Sequence, residues 1–169
     1  MTARVGAEKL IAITANPALT GFTASKILWV RNNEPEAYAK CAHILLPKDY
    51  IRFLLTGVYA SEVSDAGGMQ LLDVPKRTWS DEVLGALEID RGLLGDMYES
   101  PEITGTITED AARLTGLLPG TPVVGGAGDN AAAAVGTGVV GAGGCNISLG
   151  TSGTVFISSK SFGVDSTNA

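Results

Sequence analysis

Between Thr121 and Thr154 the chain reads TPVVGGAGDNAAAAVGTGVVGAGGCNISLGTSGT, and no other stretch restricts its fold and chemistry as much. Pro122, Val123 and Val124 form a short apolar run that ends in a glycine turn, Gly125-Gly126-Ala127-Gly128. The turn delivers one carboxylate, Asp129, followed by Asn130 and a small-residue helix. Twenty-one positions after Asp129 comes a second glycine turn, Gly150-Thr151-Ser152-Gly153, between strand-like runs at Cys145–Leu149 and Thr154–Ser158. A carboxylate exposed at a strand-to-helix turn can act as a general base. Flanking glycines clear side chains from around it and let a ligand approach. The Gly-Thr-Ser-Gly turn offers backbone N–H groups and hydroxyls to a phosphate. A base with a phosphate cradle suggests phosphoryl transfer to an alcohol.

Each feature has a plainer reading. Asp129 can be a simple N-cap, since Asp before an alanine-rich helix is a frequent cap. Gly150–Gly153 can be an ordinary hairpin loop, and it lacks the Lys and spacing of a Walker loop. Gly126-x-Gly128-x-x-Ala131 formally matches the dinucleotide fingerprint. That reading is disfavoured, because Asp129 would face the pyrophosphate and no acidic ribose ligand occurs before Asp165.

A chain of 169 residues can bury a real core. Its 22 glycines follow no G-X-Y period, so they mean turns and close backbone approaches. The net charge of −6, without a Lys/Arg cluster, argues against nucleic-acid and anionic-membrane partners. Cys41 and Cys145 form no CxxC and are read as buried reduced thiols. No apolar run approaches the ~18 residues of a membrane span, and a cytoplasmic location is expected. From Asn130 to Val164 there is no acidic residue, and the composition shifts near residue 140. Residues 1–140 are therefore expected to belong to one domain and 141–169 to the start of a second, since a lone hairpin is marginal in water.

Helical spacing predicts a helix over residues 5–13, and Thr23 can cap the next one, with Ile27, Leu28 and Val30 as its apolar face. Glu34-Pro35 starts a helix to residue 41, and Ile44-Leu45-Leu46 reads as a strand. Residues 47–55 are amphipathic, with Tyr50, Ile51, Leu54 and Leu55 expected inward and Gly57 as the stop. A turn with a small helix follows over 61–68, then a Ser-capped helix over 80–88, a short helix near 90–95 and an extended 99–107. Thr108 opens a helix that ends at Gly116. His43, the only histidine, is read as structural, which removes Ser-His-Asp and His-metal schemes. Asp65, with Ser61 and Ser64, reads as a cap or loop cluster, and Asp49 as a first-turn helix carboxylate. Trp29 and Trp79 are expected in the core or at a domain contact.

Four blocks, in order along the chain, carry a resemblance to one family. Gly21-Phe22-Thr23-Ala24-Ser25-Lys26-Ile27-Leu28-Trp29-Val30-Arg31-Asn32-Asn33 resembles the first signature of the FGGY carbohydrate kinases. Leu45-Leu46-Pro47-Lys48-Asp49-Tyr50, with Leu55-Thr56-Gly57, is similar to that family's LLP-x-DY and LTG block. Gly126-Ala127-Gly128-Asp129-Asn130-Ala131-Ala132 resembles its catalytic block, and Ser148-Leu149-Gly150-Thr151-Ser152-Gly153 its second phosphate motif. The details are most similar to family members that phosphorylate the ketopentose D-xylulose.

The resemblance implies an α/β chain with the actin-like ATPase (ribonuclease H-like) fold, as part of domain I plus the first hairpin of domain II. It implies Asp129 as the general base that takes the proton of the sugar's primary hydroxyl, and Asn130 against sugar hydroxyls. It sets Gly150, Thr151, Ser152 and Gly153 at the β/γ-phosphates of ATP, with Mg2+ as the ion and no Mg2+ ligand on this chain. The family's first phosphate loop, its sugar-selecting segment and its adenosine site are not found in the sequence. The chain is thus expected to be an internal fragment, inactive alone. Ribulose, gluconate and glycerol remain alternative substrates, a non-catalytic binding module is the alternative of another class, and a homodimer is left open.

Overall fold

A computed structural model describes residues 1–151 and 153–165. Gly6, at φ +91°, divides the expected first helix into α1 (Thr2–Val5) and α2 (Ala7–Thr14). Helix α3 (Thr23–Asn33) begins on Thr23 itself; Phe22 is its N-cap and no side chain caps it, so the expected Thr23 cap is corrected. Helix α4 (Pro35–Tyr38) starts on proline, whose fixed φ and missing N–H suit the first turn. Ile44 makes a single parallel bridge to Leu94, not the expected strand. Pro47 then opens α5 (Pro47–Thr56), and Gly57 ends it in the left-handed region at φ +72°.

The faces of α5 differ from the expected ones: of the residues expected inward, only Leu55 is half-buried. Asp49, Arg52 and Thr56 point inward, while Tyr50, Ile51 and Leu54 are each more than half exposed. A polar inner face is tolerable only where each charge finds a partner: Asp49 pairs with Lys48 and Arg52 on the same helix, and Arg52 reaches the Ala60 and Gly125 carbonyls.

Strand β1 (Ala60–Glu62) runs into α6 (Val63–Ala66), and β2 (Leu72–Asp73) pairs antiparallel with β3 (Thr78–Trp79). Ser80 caps α7 (Asp81–Leu87) by accepting the Val83 N–H at 3.2 Å. A 3-10 turn at Arg91–Leu93 leads to β4 (Asp96–Tyr98), which pairs parallel with β1. Strand β5 (Ile103–Thr106) pairs antiparallel with β6 (Pro122–Val124) around α8 (Glu109–Thr115), which Thr108 caps and Gly116 stops. Helix α9 (Asp129–Gly136) follows β6, and β7 (Cys145–Leu149) and β8 (Gly153–Ile157) close as a hairpin.

The core lies among α2, α3, α7 and β2, built from Leu10, Ile27, Leu72, Val83, Leu84 and Leu87. Each such side chain contributes about 1.5–3 kcal/mol on burial. Trp79 joins this core and donates its indole N–H to the Gly95 carbonyl at 2.8 Å, whereas Trp29 is 58% exposed. Gly95 lets β4 lie against β1, since a Cβ there would stand 2.9 Å from the Ala60 Cα. Cys41 is half-buried and Cys145 exposed, so the reading of Cys145 as a buried thiol is corrected; both thiols are free.

Candidate active site

Strand β6 aims the chain at a turn where glycine is required. A Cβ on Gly125 would lie 2.8 Å from the Glu99 carbonyl oxygen, and Gly126 adopts φ +81°. The Gly125 N–H donates to the Glu102 carbonyl at 2.8 Å, and the Gly126 N–H to the Ser100 carbonyl at 3.0 Å. Gly128 is the N-cap of α9, and its N–H donates to Ser64 Oγ at 3.0 Å. Asp129 is the first helical residue rather than the cap. Its carboxylate is exposed and accepts the Asn130 N–H at 2.8 Å. A negative charge suits that end of a helix, where unpaired N–H groups concentrate positive charge.

Behind the turn stands a charged layer. On α5, Arg52 donates to Asp49 Oδ1 at 2.9 Å and to the Gly125 carbonyl at 2.5 Å, and also bonds the Ala60 carbonyl. Lys48 Nζ donates to Asp49 Oδ1 at 2.8 Å and to the same Gly125 carbonyl at 3.2 Å. It lies 3.8 Å from Glu62 Oε2 and 3.8 Å from Asp65 Oδ2. Glu62 is fully buried and accepts from the Ser64 N–H, the Asp65 N–H, the Ser64 hydroxyl and the Ser100 hydroxyl. Burial holds the Asp65 carboxyl above its ordinary range; Lys48 pulls it back, and Asp49, Glu62 and Asp129 add to the rise.

Asp65, Asp129 and Asn130 line one cavity of about 470 Å³ with Ser64, Arg77 and Ser100, and Phe156 of β8 closes part of its wall. The structure thus brings Asp129 and Asn130 together. It also brings in Asp65, which sequence reasoning left as a cap or loop residue. Gly150, Thr151 and Gly153 sit at the exposed hairpin tip and do not line this cavity; Ser152 lies outside the described residues. Sequence reasoning gave no site role to Glu62, Arg52, Lys48, Arg77 or Ser100. The i,i+3 pairing of Asp49 with Arg52 was the available signal for the inner face of α5. His43 stacks on Tyr59 at 3.6 Å between ring centroids and stands apart from the cavity lining. Among the described residues, no group of three or more His, Cys, Asp or Glu has the arrangement of a metal site, and no helix is long and apolar enough to cross a membrane.

The FGGY family of carbohydrate kinases, N-terminal domain, matches residues 1–136. The xylulose kinase of Escherichia coli (strain K12) is 46% identical over 162 residues, which cover 96% of this chain and 33% of that protein. The xylulose kinase of Bacillus subtilis (strain 168) is 41% identical over 155 residues, 92% of this chain and 31% of that protein. The solved structure of a xylulose kinase from Rhodospirillum rubrum matches with a TM-score of 0.91 at 28% identity, covering 96% of this chain and 33% of its own. The chain spans about a third of the length of the curated relatives it matches. Its architecture is the N-terminal part of the actin-like ATPase fold shared by such kinases. By sequence and by fold, the chain belongs to the FGGY family of carbohydrate kinases.

Proposed function

We propose that the protein carrying this chain phosphorylates the primary hydroxyl of a ketopentose, D-xylulose in the first place, with Asp129 as general base. One observation carries the reading: the Asp129 carboxylate stands exposed at the end of a glycine turn, in a cavity that Asn130 also lines. Mg-ATP supplies the phosphoryl group when bound. Asp129 accepts the hydroxyl proton as the sugar oxygen begins to attack, and the Asn130 amide orients neighbouring sugar hydroxyls. In phosphoryl transfer the protein mainly positions reactants and stabilises charge, so a fixed carboxylate in a shaped cavity is the part such an enzyme needs.

Gly150, Thr151, Ser152 and Gly153 form the segment assigned to the β/γ-phosphates. Its fit to an anion rests on the exposure of Gly150, Thr151 and Gly153, within a stretch from Asn130 to Val164 that has no acidic residue. No Mg2+ ligand on this chain is part of the proposal. Residues 1–140 are assigned to the C-terminal part of domain I and 141–169 to the start of domain II. Residues 1–169, about a third of the length of the relatives they match, are expected to be inactive alone.

The names of the relatives support xylulose over other sugars. The test is ADP release by the complete reading frame that carries the chain, with Mg-ATP and xylulose, ribulose, gluconate or glycerol. Preference for xylulose is expected. Preference for another polyol would replace the sugar, and no turnover by a folded protein would favour the binding module.

A further inference from the structure

We infer that Ser64 is a positioning residue for Asp129, coupling the catalytic turn to the buried carboxylate of Glu62; the inference rests on Asp129 being the base. The hydrogen positions follow from the partners. A backbone N–H can only donate, so Ser64 Oγ accepts from Gly128 at 3.0 Å. The single Ser64 hydroxyl proton then goes to Glu62 Oε2, 2.8 Å away, which as a carboxylate can only accept. A hydroxyl polarised by an ionised acceptor is itself a stronger acceptor, so the two bonds reinforce each other.

The anchor is rigid. Glu62 is fully buried and also held by the Ser64 and Asp65 N–H groups at 2.7 and 3.2 Å and by the Ser100 hydroxyl at 2.6 Å. At the other end of the turn, Lys48 and Arg52 both donate to the Gly125 carbonyl. The backbone is also packed close at both ends: a Cβ on Gly125 would stand 3.1 Å from Glu62 Cγ, and one on Gly128 would stand 3.4 Å from Asp65 Cα. The peptide N–H immediately before Asp129 therefore hangs on one hydroxyl. Losing that bond frees the first turn of α9 to rotate, which moves the carboxylate relative to the attacking oxygen.

Ser64→Ala, made in the complete reading frame, tests this with steady-state kinetics. Displacing a catalytic group by an ångström costs on the order of 100-fold, so kcat should fall roughly 10- to 100-fold with the sugar KM nearly unchanged. Ser64→Thr should recover most of the rate, because Ser64 is exposed and the hydroxyl is kept. Ser64→Cys, close in size but weak in hydrogen bonding, should behave like the alanine variant and serves in its place if that one does not fold. In an Asp129→Asn background the Ser64→Ala loss should vanish, because residues acting through one another are not additive. An unchanged kcat, a loss confined to KM, or the same loss in the Asp129→Asn background would each overturn the inference. If Asp129→Asn is inactive while Ser64→Ala is normal, the positioning role alone fails; if Asp129→Asn stays fully active, the base assignment and this inference fall together.

Discussion

The guanidinium of Arg52 donates to the carbonyl of Gly125 at 2.5 Å, across 73 residues of chain, and so ties helix α5 to the turn before Asp129. Arg52 also neutralises Asp49, which is fully buried. Arg52→Met removes the guanidinium from both Asp49 and Gly125 while keeping most of the volume. Breaking one side of a buried pair costs about 3–5 kcal/mol, and urea unfolding should show that loss. The double variant Asp49→Leu/Arg52→Met should lose less, because the buried carboxylate goes with its guanidinium and Lys48 keeps Glu62 and Asp65 at 3.8 Å. Equal losses in both would contradict the role given to the pair.

Two glycines give opposite expectations for the same substitution. A Cβ on Gly95 would meet the backbone of Ala60 at 2.9 Å, and backbone cannot move aside cheaply. Gly95→Ala should therefore destabilise by about 1–3 kcal/mol, the range for overpacking. Gly85 lies inside α7 with nothing within 4 Å of a new Cβ. Gly85→Ala should stabilise by about 0.5–1 kcal/mol, the helix-interior difference between the two residues. Thermal melts of the two variants beside the parent decide both signs.

Helix α5 shows how far the sequence could be read. Its limits were legible, because Pro47 suits a first turn and Gly57 a left-handed stop. Its inner face was not. Periodicity assumes that apolar residues turn inward, and it selected Tyr50, Ile51 and Leu54, which are exposed. The inward residues are charged ones whose partners, the Gly125 and Ala60 carbonyls, arrive through tertiary folding alone. The turn before Asp129 and the helix that starts there were legible because glycine punctuation marks a turn before a helix. Glu62 was invisible for the reason Arg52 was: a buried carboxylate looks like a surface one until its four donors are in place. The caps at Ser80 and Thr108 were legible from a cap residue followed by an acidic first turn, whereas Thr23, without acidic residues behind it, is the first helical residue and caps nothing.

Asp65 makes stability depend on pH. Its folded pKa lies above the ordinary 3.8, so the folded chain holds this proton more tightly than the unfolded chain. That contribution is complete below pH 3.8 and is lost as pH rises through the folded value, leaving ionised Asp65 unfavourable at neutral pH. Asp65→Asn should therefore raise the melting temperature at pH 7, with the gain shrinking towards zero as pH falls to 3.8. Equal melting temperatures at pH 7, or a gain that persists in acid, would contradict the electrostatic account. Glu99 runs the other way: its hydrogen bonds from Arg77 lower its pKa, and the resulting stabilisation is present above 4.5 and fades below it. That pair is exposed and its contribution is small.

The central claim is that Asp129 removes the proton from the attacking hydroxyl. The direct test is the turnover number of Asp129→Asn in the complete reading frame, with Mg-ATP and xylulose both saturating. A positioned base contributes on the order of 100- to 10,000-fold, so kcat should fall by that factor while the KM for ATP stays within a few-fold. A kcat within about threefold of the parent, in a folded variant, would contradict the assignment.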